Sequence, residues 1–252
     1  MSNDSRDSAG SAPGASRGAT PAQTDPPRAA PGSSTTTGDG LPRVLARREV
    51  ARSRLFHIEE LDLQFSNGVR RTYERLPATG HRAVMVVAIT DDDEVLLIRE
   101  YMAGFHEYQL TLPKGAADPG ESLEEAADRE LKEEAGFGAR RIESLKALSV
   151  APGHMGFTQT AMLARGLYAQ RLPGDEPEPL EVETWPLAEL DTLFGRPDFN
   201  EARAIAALYL AALRLRELRG GAPDSVESRV PVEGLPAAGV LAPGRPARRV
   251  DT

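Results

Sequence analysis

The chain reads as an α+β fold in which a mixed sheet lies between helices, and three observations carry that reading. Strand-like and helix-like stretches follow one another without regular βαβ alternation. The run from Ala83 to Thr90 is apolar almost without interruption, as a strand covered on both faces requires. Two stretches, Ser122–Gly136 and Glu201–Arg219, are rich in strong helix formers and place apolar residues at helical spacing.

In chain order, residues 1–42 are mainly Ser, Thr, Gly, Ala and Pro, and residues 220–252 are similar. Together they hold 11 of the 20 prolines and 7 arginines against 8 acidic residues. They offer too little apolar surface to offset the entropy of ordering, so both are expected to be disordered tails. The domain between them, residues 43–219, is long enough for one core and carries most of the net charge of −8. An acidic body excludes a nucleic-acid track, which needs clustered Lys and Arg. It suits an enzyme that meets phosphates through metal ions. The absence of cysteine excludes a disulfide framework and thiol catalysis. No apolar stretch reaches membrane length, and Asp4, Asp7 and Asp25 argue against reading the head as a transit peptide. A soluble, cytoplasmic protein is expected.

Within the domain, Leu55–Phe65 alternates in part and Val69–Glu74 returns after Asn67-Gly68, a strong hairpin signal. After the buried Ala83–Thr90 strand, Asp91–Asp93 turns the chain and Val95–Tyr101 runs back. Three consecutive acids on a hairpin tip point apart, so this is a solvated turn, not a metal site. Ile142–Val150 and Thr158–Ala164 read as strands joined by the loop 151–156, which contains His154. Leu187–Phe194 reads as a short helix with Trp185 before it in the core. Asn200 is placed to cap the last helix, Glu201–Arg219, whose buried face is read as Ile205, Leu208, Tyr209 and Ala212.

The stretch Gly115–Phe137 organises the rest. Pro119 and Gly120 break the chain, a helix starts at Ser122, and Gly136 stops it. Leu123, Ala127 and Leu131 form one apolar stripe. Arg129, Glu130, Glu133 and Glu134 lie off it and crowd like charges on neighbouring turns, which calls for something positive beside them. A solvated acidic helix would also explain the charge run, but it would not demand the spaced Gly115 and Glu121.

The whole pattern of Gly115, Glu121, Arg129, Glu130, Leu131, Glu133, Glu134, Gly136 and Phe137 resembles the Nudix box, Gly-x5-Glu-x7-Arg-Glu-U-x-Glu-Glu-x-Gly-U with U apolar. The segments Val50–Phe56, Phe65–Arg71, Gly174–Pro179 and Asp198–Arg203 extend the similarity to the bacterial ADP compounds hydrolases of the Nudix family, over residues 42–219. The resemblance implies a Nudix α/β/α sandwich with an N-terminal antiparallel hairpin. It implies metal-dependent hydrolysis of ADP-linked compounds such as ADP-ribose, dinucleoside polyphosphates and NADH, with AMP as a product. Clustered carboxylates suit Mg2+ or Mn2+. By the resemblance Glu130, Glu133 and Glu134 are metal ligands, as is the backbone carbonyl of Lys114, whose side chain is read as a solvated surface charge. Arg129 positions a glutamate, and Gly115 lets the backbone approach the metal. The loop Gly174–Pro179 would bring Glu176 as general base and Glu178 as a further metal contact. A homodimer built through the N-terminal hairpin is implied as well.

Two positions depart from the family pattern. Glu100-Tyr-Met102 stands where ADP-ribose pyrophosphatases often have Gln-Phe-Arg, and Gln109 stands where relatives often have Glu. Another nucleotide substrate, or a domain that senses ADP-ribose without cleaving it, are the alternatives. Sensors usually lose acids of the box, and this chain keeps Glu121, Glu130, Glu133 and Glu134.

Overall fold

Three strands come first and form a sheet of their own: β1 (Arg43–Arg52), β2 (His57–Gln64) and β3 (Arg70–Arg75), paired antiparallel in that order. The expected hairpin is β2–β3, turning at Asn67-Gly68 with Gly68 at φ 80. β1 is an addition that periodicity does not reveal, because every one of its residues is exposed. Two ion pairs and a hydrogen bond reach across to β2: Arg48 to Asp62 at 2.8 Å, Arg47 to Glu59 at 3.1 Å, and Arg43 donating to the Gln64 amide oxygen at 2.8 Å.

The computed structural model describes residues 40–78 and 80–220, together with the backbone of 248–249. The expected disordered tails, 1–42 and 220–252, lie almost wholly outside the described residues.

β4 (Ala83–Ile89) is buried along its whole length. Val84, Val86 and Ala88 pack with the helix residues Ala126, Ala127 and Leu131; Met85, Val87 and Ile89 pack with Ala204, Ala207, Leu208 and Ala211. Alternate side chains thus enter two separate cores, which is why the sequence shows an unbroken apolar run. β5 (Glu94–Met102) pairs with β4 only at its start, then diverges to accept β6 (Glu107–Thr111), while β7 (Lys114–Ala116) takes the vacated edge of β4. α1 (Leu123–Glu130) follows, then β8 (Phe137–Ser149) and β9 (Thr158–Ala169), and β9 runs parallel to β4. β10 (Glu181–Pro186) covers the other edge of β5, and β11 (Arg248–Arg249) pairs with β10. A 3-10 turn leads into α2 (Leu190–Phe194), and α3 (Ala202–Leu218) closes the second face. The result is the expected mixed sheet between helices. No described helix is long and apolar enough to cross a membrane.

Two helix details correct the sequence reading. Asn200 does not cap α3: its amide donates to the Pro197 carbonyl at 3.3 Å, and the cap position belongs to Glu201. Glu201 instead accepts the Thr111 hydroxyl at 2.9 Å, so this carboxylate is spent on joining α3 to β6. The buried face of α3 is Ala204, Ala207, Leu208, Ala211 and Leu215, and Tyr209 is 58% exposed. Alanines let the helix lie close to the sheet, which leaves no room for a ring on that side. Trp185 is in the core as expected, with its indole N–H on the Glu189 carbonyl at 2.9 Å.

Among the described residues, a short seam of main chain joins the N-terminal sheet to the body. Leu76 donates to His154 O and accepts from Gly156 N, each at 2.8 Å.

Candidate active site

The acidic helix is two structures laid end to end. α1 begins with a capping box: Ser122 Oγ accepts the Glu125 N–H at 3.1 Å, and the Glu125 carboxylate accepts the Ser122 N–H at 2.8 Å. From Leu131 to Ala135 the winding loosens to a π-turn, which Gly136 ends in the left-handed region at φ 79. Such turns insert a residue and re-aim side chains, and they concentrate at functional sites. Here Glu130 and Glu134 are both buried, along with Leu131 and Ala135. The sequence reading, which kept both carboxylates off the apolar stripe, did not foresee that burial.

The positive group that this crowding demands is Arg129. Its Nη1 donates to Glu130 at 2.9 Å and to Glu133 at 2.8 Å. Nε and Nη2 grip both oxygens of Glu121 at 3.0 and 3.1 Å, and Nη2 also reaches the Ala116 carbonyl at 2.8 Å. One guanidinium therefore ties three glutamates of the box to the strand before it. The Arg129 hydrogen bond is the main cause that holds the Glu121 carboxyl below its ordinary pKa. Glu121 is thus a structural partner of Arg129.

Gly115 sits under Glu130. A Cβ at Gly115 would fall 2.0 Å from Glu130 Oε1, so no other residue leaves space for that carboxylate. This is a different need from the close backbone approach expected of Gly115. The neighbouring Lys114 N–H donates to Glu134 Oε2 at 2.8 Å. The Lys114 side chain is not the solvated surface charge expected; it is 14% exposed and paired with Glu100.

The donor set suits a hard divalent cation. Among the described residues, no three carboxylates or histidines already stand together as a finished cation site. Glu130 and Glu133 are instead held by Arg129. Burial pushes the Glu134 carboxyl up to about 8, against the opposing pull of Lys114, and burial likewise raises Glu130. Buried carboxylates short of positive charge are what an oxygen-seeking cation relieves. Glu130, Glu133, Glu134 and the Lys114 carbonyl fit that group.

Comparison with known proteins agrees with this geometry. A family model described as NUDIX domain matches residues 79–208. The chain belongs to the Nudix hydrolase family. A second model, described as NudE-type Nudix hydrolase N-terminal domain, matches residues 42–75. The two matches meet at the Leu76 seam between the small sheet and the body. The chain is 53% identical over 169 residues to the ADP compounds hydrolase NudE of Escherichia coli K12, covering 67% of this chain and 90% of that protein. It is 25% identical over 171 residues to an ADP-ribose pyrophosphatase of Bacillus subtilis, covering 67% and 91%. The crystal structure of an ADP compounds hydrolase superposes with a TM-score of 0.68 at 49% identity, over 73% of this chain and 99% of that one. The chain is a Nudix pyrophosphohydrolase, of a family that uses divalent metal ions.

The Nudix helix forms one wall of a cleft of about 480 Å3. Glu130, Glu133 and Glu134 line that wall, and the stretch from Arg171 to Leu180, with Asp175, Glu176 and Glu178, lines the other. The acidic loop is therefore a loop, as expected, and it faces the Nudix carboxylates. Glu176 is exposed along this wall; what burial it has, then the Glu100 and Asp175 charges, raise its pKa. Glu178 is held at the rim, where the Tyr108 hydroxyl donates to its carboxylate. Tyr108 meets Tyr101 edge-on, with ring centroids 5.7 Å apart. Gln109 is buried and donates its amide to Glu107 at 2.6 Å. His154 is exposed and is not among the cleft residues. Glu100 is the residue beside the site that sequence reasoning missed; Tyr108 reads in sequence as a residue for packing or for stacking on adenine, not as a partner of Glu178. Strand periodicity could have placed Glu100 on the face of Leu96 and Ile98, the face that the Nudix helix covers.

Proposed function

We propose that the protein hydrolyses ADP-linked compounds, among them ADP-ribose, dinucleoside polyphosphates and NADH, to AMP and a phosphorylated product. The observation that carries this reading is the complete set of box carboxylates: Arg129 holds Glu121, Glu130 and Glu133, the Lys114 N–H holds Glu134, and Glu130, Glu133 and Glu134 face an acidic loop across one cleft. The ADP compounds hydrolase and ADP-ribose pyrophosphatase similarities supply the substrate class.

Glu130, Glu133, Glu134 and the Lys114 carbonyl hold the cation in this reading, with Mg2+ the working ion and Mn2+ able to replace it. When bound, the cation supplies charge neutralisation for a pyrophosphate and acidifies water. The chain's own groups do the rest. Arg129 keeps the Glu130 and Glu133 carboxylates aimed along one side of the helix. Glu176, on the opposite wall, takes the proton of the attacking water as its oxygen bonds to phosphorus and the bridging P–O bond breaks. Glu178 is the further cation contact that the resemblance implies, and reaching it requires release from Tyr108.

A homodimer belongs to the same reading. Val44, Val50, Leu55, Phe56 and Tyr73 leave apolar surface exposed on or beside the N-terminal sheet, and a small three-stranded sheet needs such a face covered. A cytoplasmic location completes it and is checked by cell fractionation.

The test is incubation with Mg2+ or Mn2+ and a panel of ADP-linked and other nucleotides, with AMP measured. Release of AMP from ADP-linked compounds, lost on chelation, is expected. Cleavage of nucleoside triphosphates alone would overturn the substrate class. Undiminished turnover in chelator would overturn the cation.

A further inference from the structure

The ion pair between Lys114 and Glu100 lies beside the Nudix carboxylates and has no part in the reaction as described above. Both side chains are largely covered, 14% and 20% exposed. The same residue, Lys114, donates its main-chain N–H to Glu134 at 2.8 Å. Its ammonium and its backbone therefore serve two different carboxylates, Glu100 on β5 and Glu134 on the Nudix helix. Charges on Glu100 and Lys114 also act on Glu176 across the cleft. A lysine ammonium beside a divalent-cation site is a competitor. It repels the cation and offers Glu134 an alternative partner.

We propose that Glu100 is a positioning residue that sequesters the Lys114 ammonium, so that Glu134 stays available to the cation. Glu100 stands on β5 opposite Gln109 of β6, and Lys114 stands on β7, so three strands fix the pair's geometry. Glu100 also marks one of the departures from the family pattern, Glu-Tyr-Met in place of Gln-Phe-Arg. A glutamine there could not neutralise a buried ammonium. The inference rests on the cation-binding reading of the Nudix site, and it concerns which groups set the affinity of that site.

The sign of each substitution follows from charge. Glu100→Gln leaves Lys114 unbalanced and free to turn to Glu134, so cation binding weakens. Lys114→Met leaves Glu100 as an additional unpaired carboxylate, so binding does not weaken. The double variant restores the wild-type charge and the availability of Glu134, so binding returns close to that of the wild type.

The experiment is Mn2+ binding to the substrate-free protein, read from the electron paramagnetic resonance signal of free Mn2+, with thermal melting of each variant as a check on folding. The expected result is an about tenfold weaker dissociation constant for Glu100→Gln, rescued in Glu100→Gln/Lys114→Met, a coupling of the size seen within charge networks. An unchanged constant in Glu100→Gln overturns the proposal. A double variant as weak as Glu100→Gln alone overturns it too, because Glu100 would then be a direct ligand. Failure of the wild type to bind Mn2+ overturns the cation reading itself, which the variants' ratio does not test.

Discussion

At the scale of single residues, Arg129 and Gly115 decide where the glutamates stand. Arg129 makes five side-chain contacts, and a lysine could reproduce the charge but not the fork that joins Glu121, Glu130 and Glu133. Arg129→Lys is therefore expected to fold and to lose most turnover, at least tenfold, while Glu133→Gln and Glu134→Gln lose more and melt no lower than the wild type. Relief of like-charge crowding offsets what the lost contacts contribute. Gly115→Ala acts in the opposite way, by adding a carbon 2.0 Å from Glu130 Oε1. It should cost about 1–3 kcal/mol, the range for overpacking, and displace Glu130. Chemical denaturation and Mn2+ titration measure the two effects. Equal stability and equal Mn2+ affinity in Gly115→Ala would contradict the packing argument.

At the scale of elements, two devices shape the cleft: the π-turn Leu131–Ala135 and the loop that faces it. The turn ends at Gly136, where φ is 79 and an added Cβ would lie 2.9 Å from the Arg171 guanidinium. Gly136→Ala meets both obstacles and should lower stability by about 1–2 kcal/mol. It should also push Arg171 from the cleft wall. On the other side, the Tyr108 hydroxyl holds Glu178 at the rim. Tyr108→Phe removes that bond without altering the ring contact with Tyr101, so amide exchange in residues 175–180 should accelerate a few-fold. Exchange at the wild-type rate would show that the contact does not restrain the loop. Much of this level was legible in the residues. Asn67-Gly68 turns where expected because only a left-handed residue fits there, and Ala83–Thr90 is buried on both faces. β1, β6 and β7 were not legible. β1 is held by ion pairs without apolar alternation, β7 spans three residues, and β6 is too short for its pattern to stand out. The burial of Glu130 and Glu134 was hidden for another reason. Both follow buried Ala126 at four-residue spacing, so the helix period does place them inward; their charge is what set them off the apolar stripe.

For the whole molecule, the approach to α3 is fastened to the sheet by one carboxylate. Asp198 accepts from Arg196 at 2.7 and 2.9 Å and from Arg99 of β5 at 3.1 Å, while its carbonyl accepts the Leu110 N–H at 2.7 Å. Burial acts to raise the Asp198 pKa, but the Arg196 bond and charge, then those of Arg99, outweigh it and hold it below the ordinary carboxylate value. A depressed folded pKa stabilises the protein above the unfolded value near 4, and that contribution is lost as pH falls through the folded value. Asp198→Asn should therefore lower stability at pH 7 by on the order of 1 kcal/mol. The gap to the wild type should begin to narrow below about pH 4 and close only below the folded value, where both chains lack the charge. A constant gap down to pH 3 would remove the titration argument.

The parallel pairing of β4 with β9 reaches beyond the finished structure. Ile89 pairs with Arg165, 76 residues later in the chain. A ribosome adding roughly 5–20 residues per second needs about 4–15 s to cover that distance. Throughout that interval the most apolar strand of the protein lacks its parallel neighbour β9, and has only β5 and β7 along its other edge. β4 is the segment on which nascent chains would meet one another, and slower elongation between Ile89 and Arg165 lengthens the exposure in direct proportion.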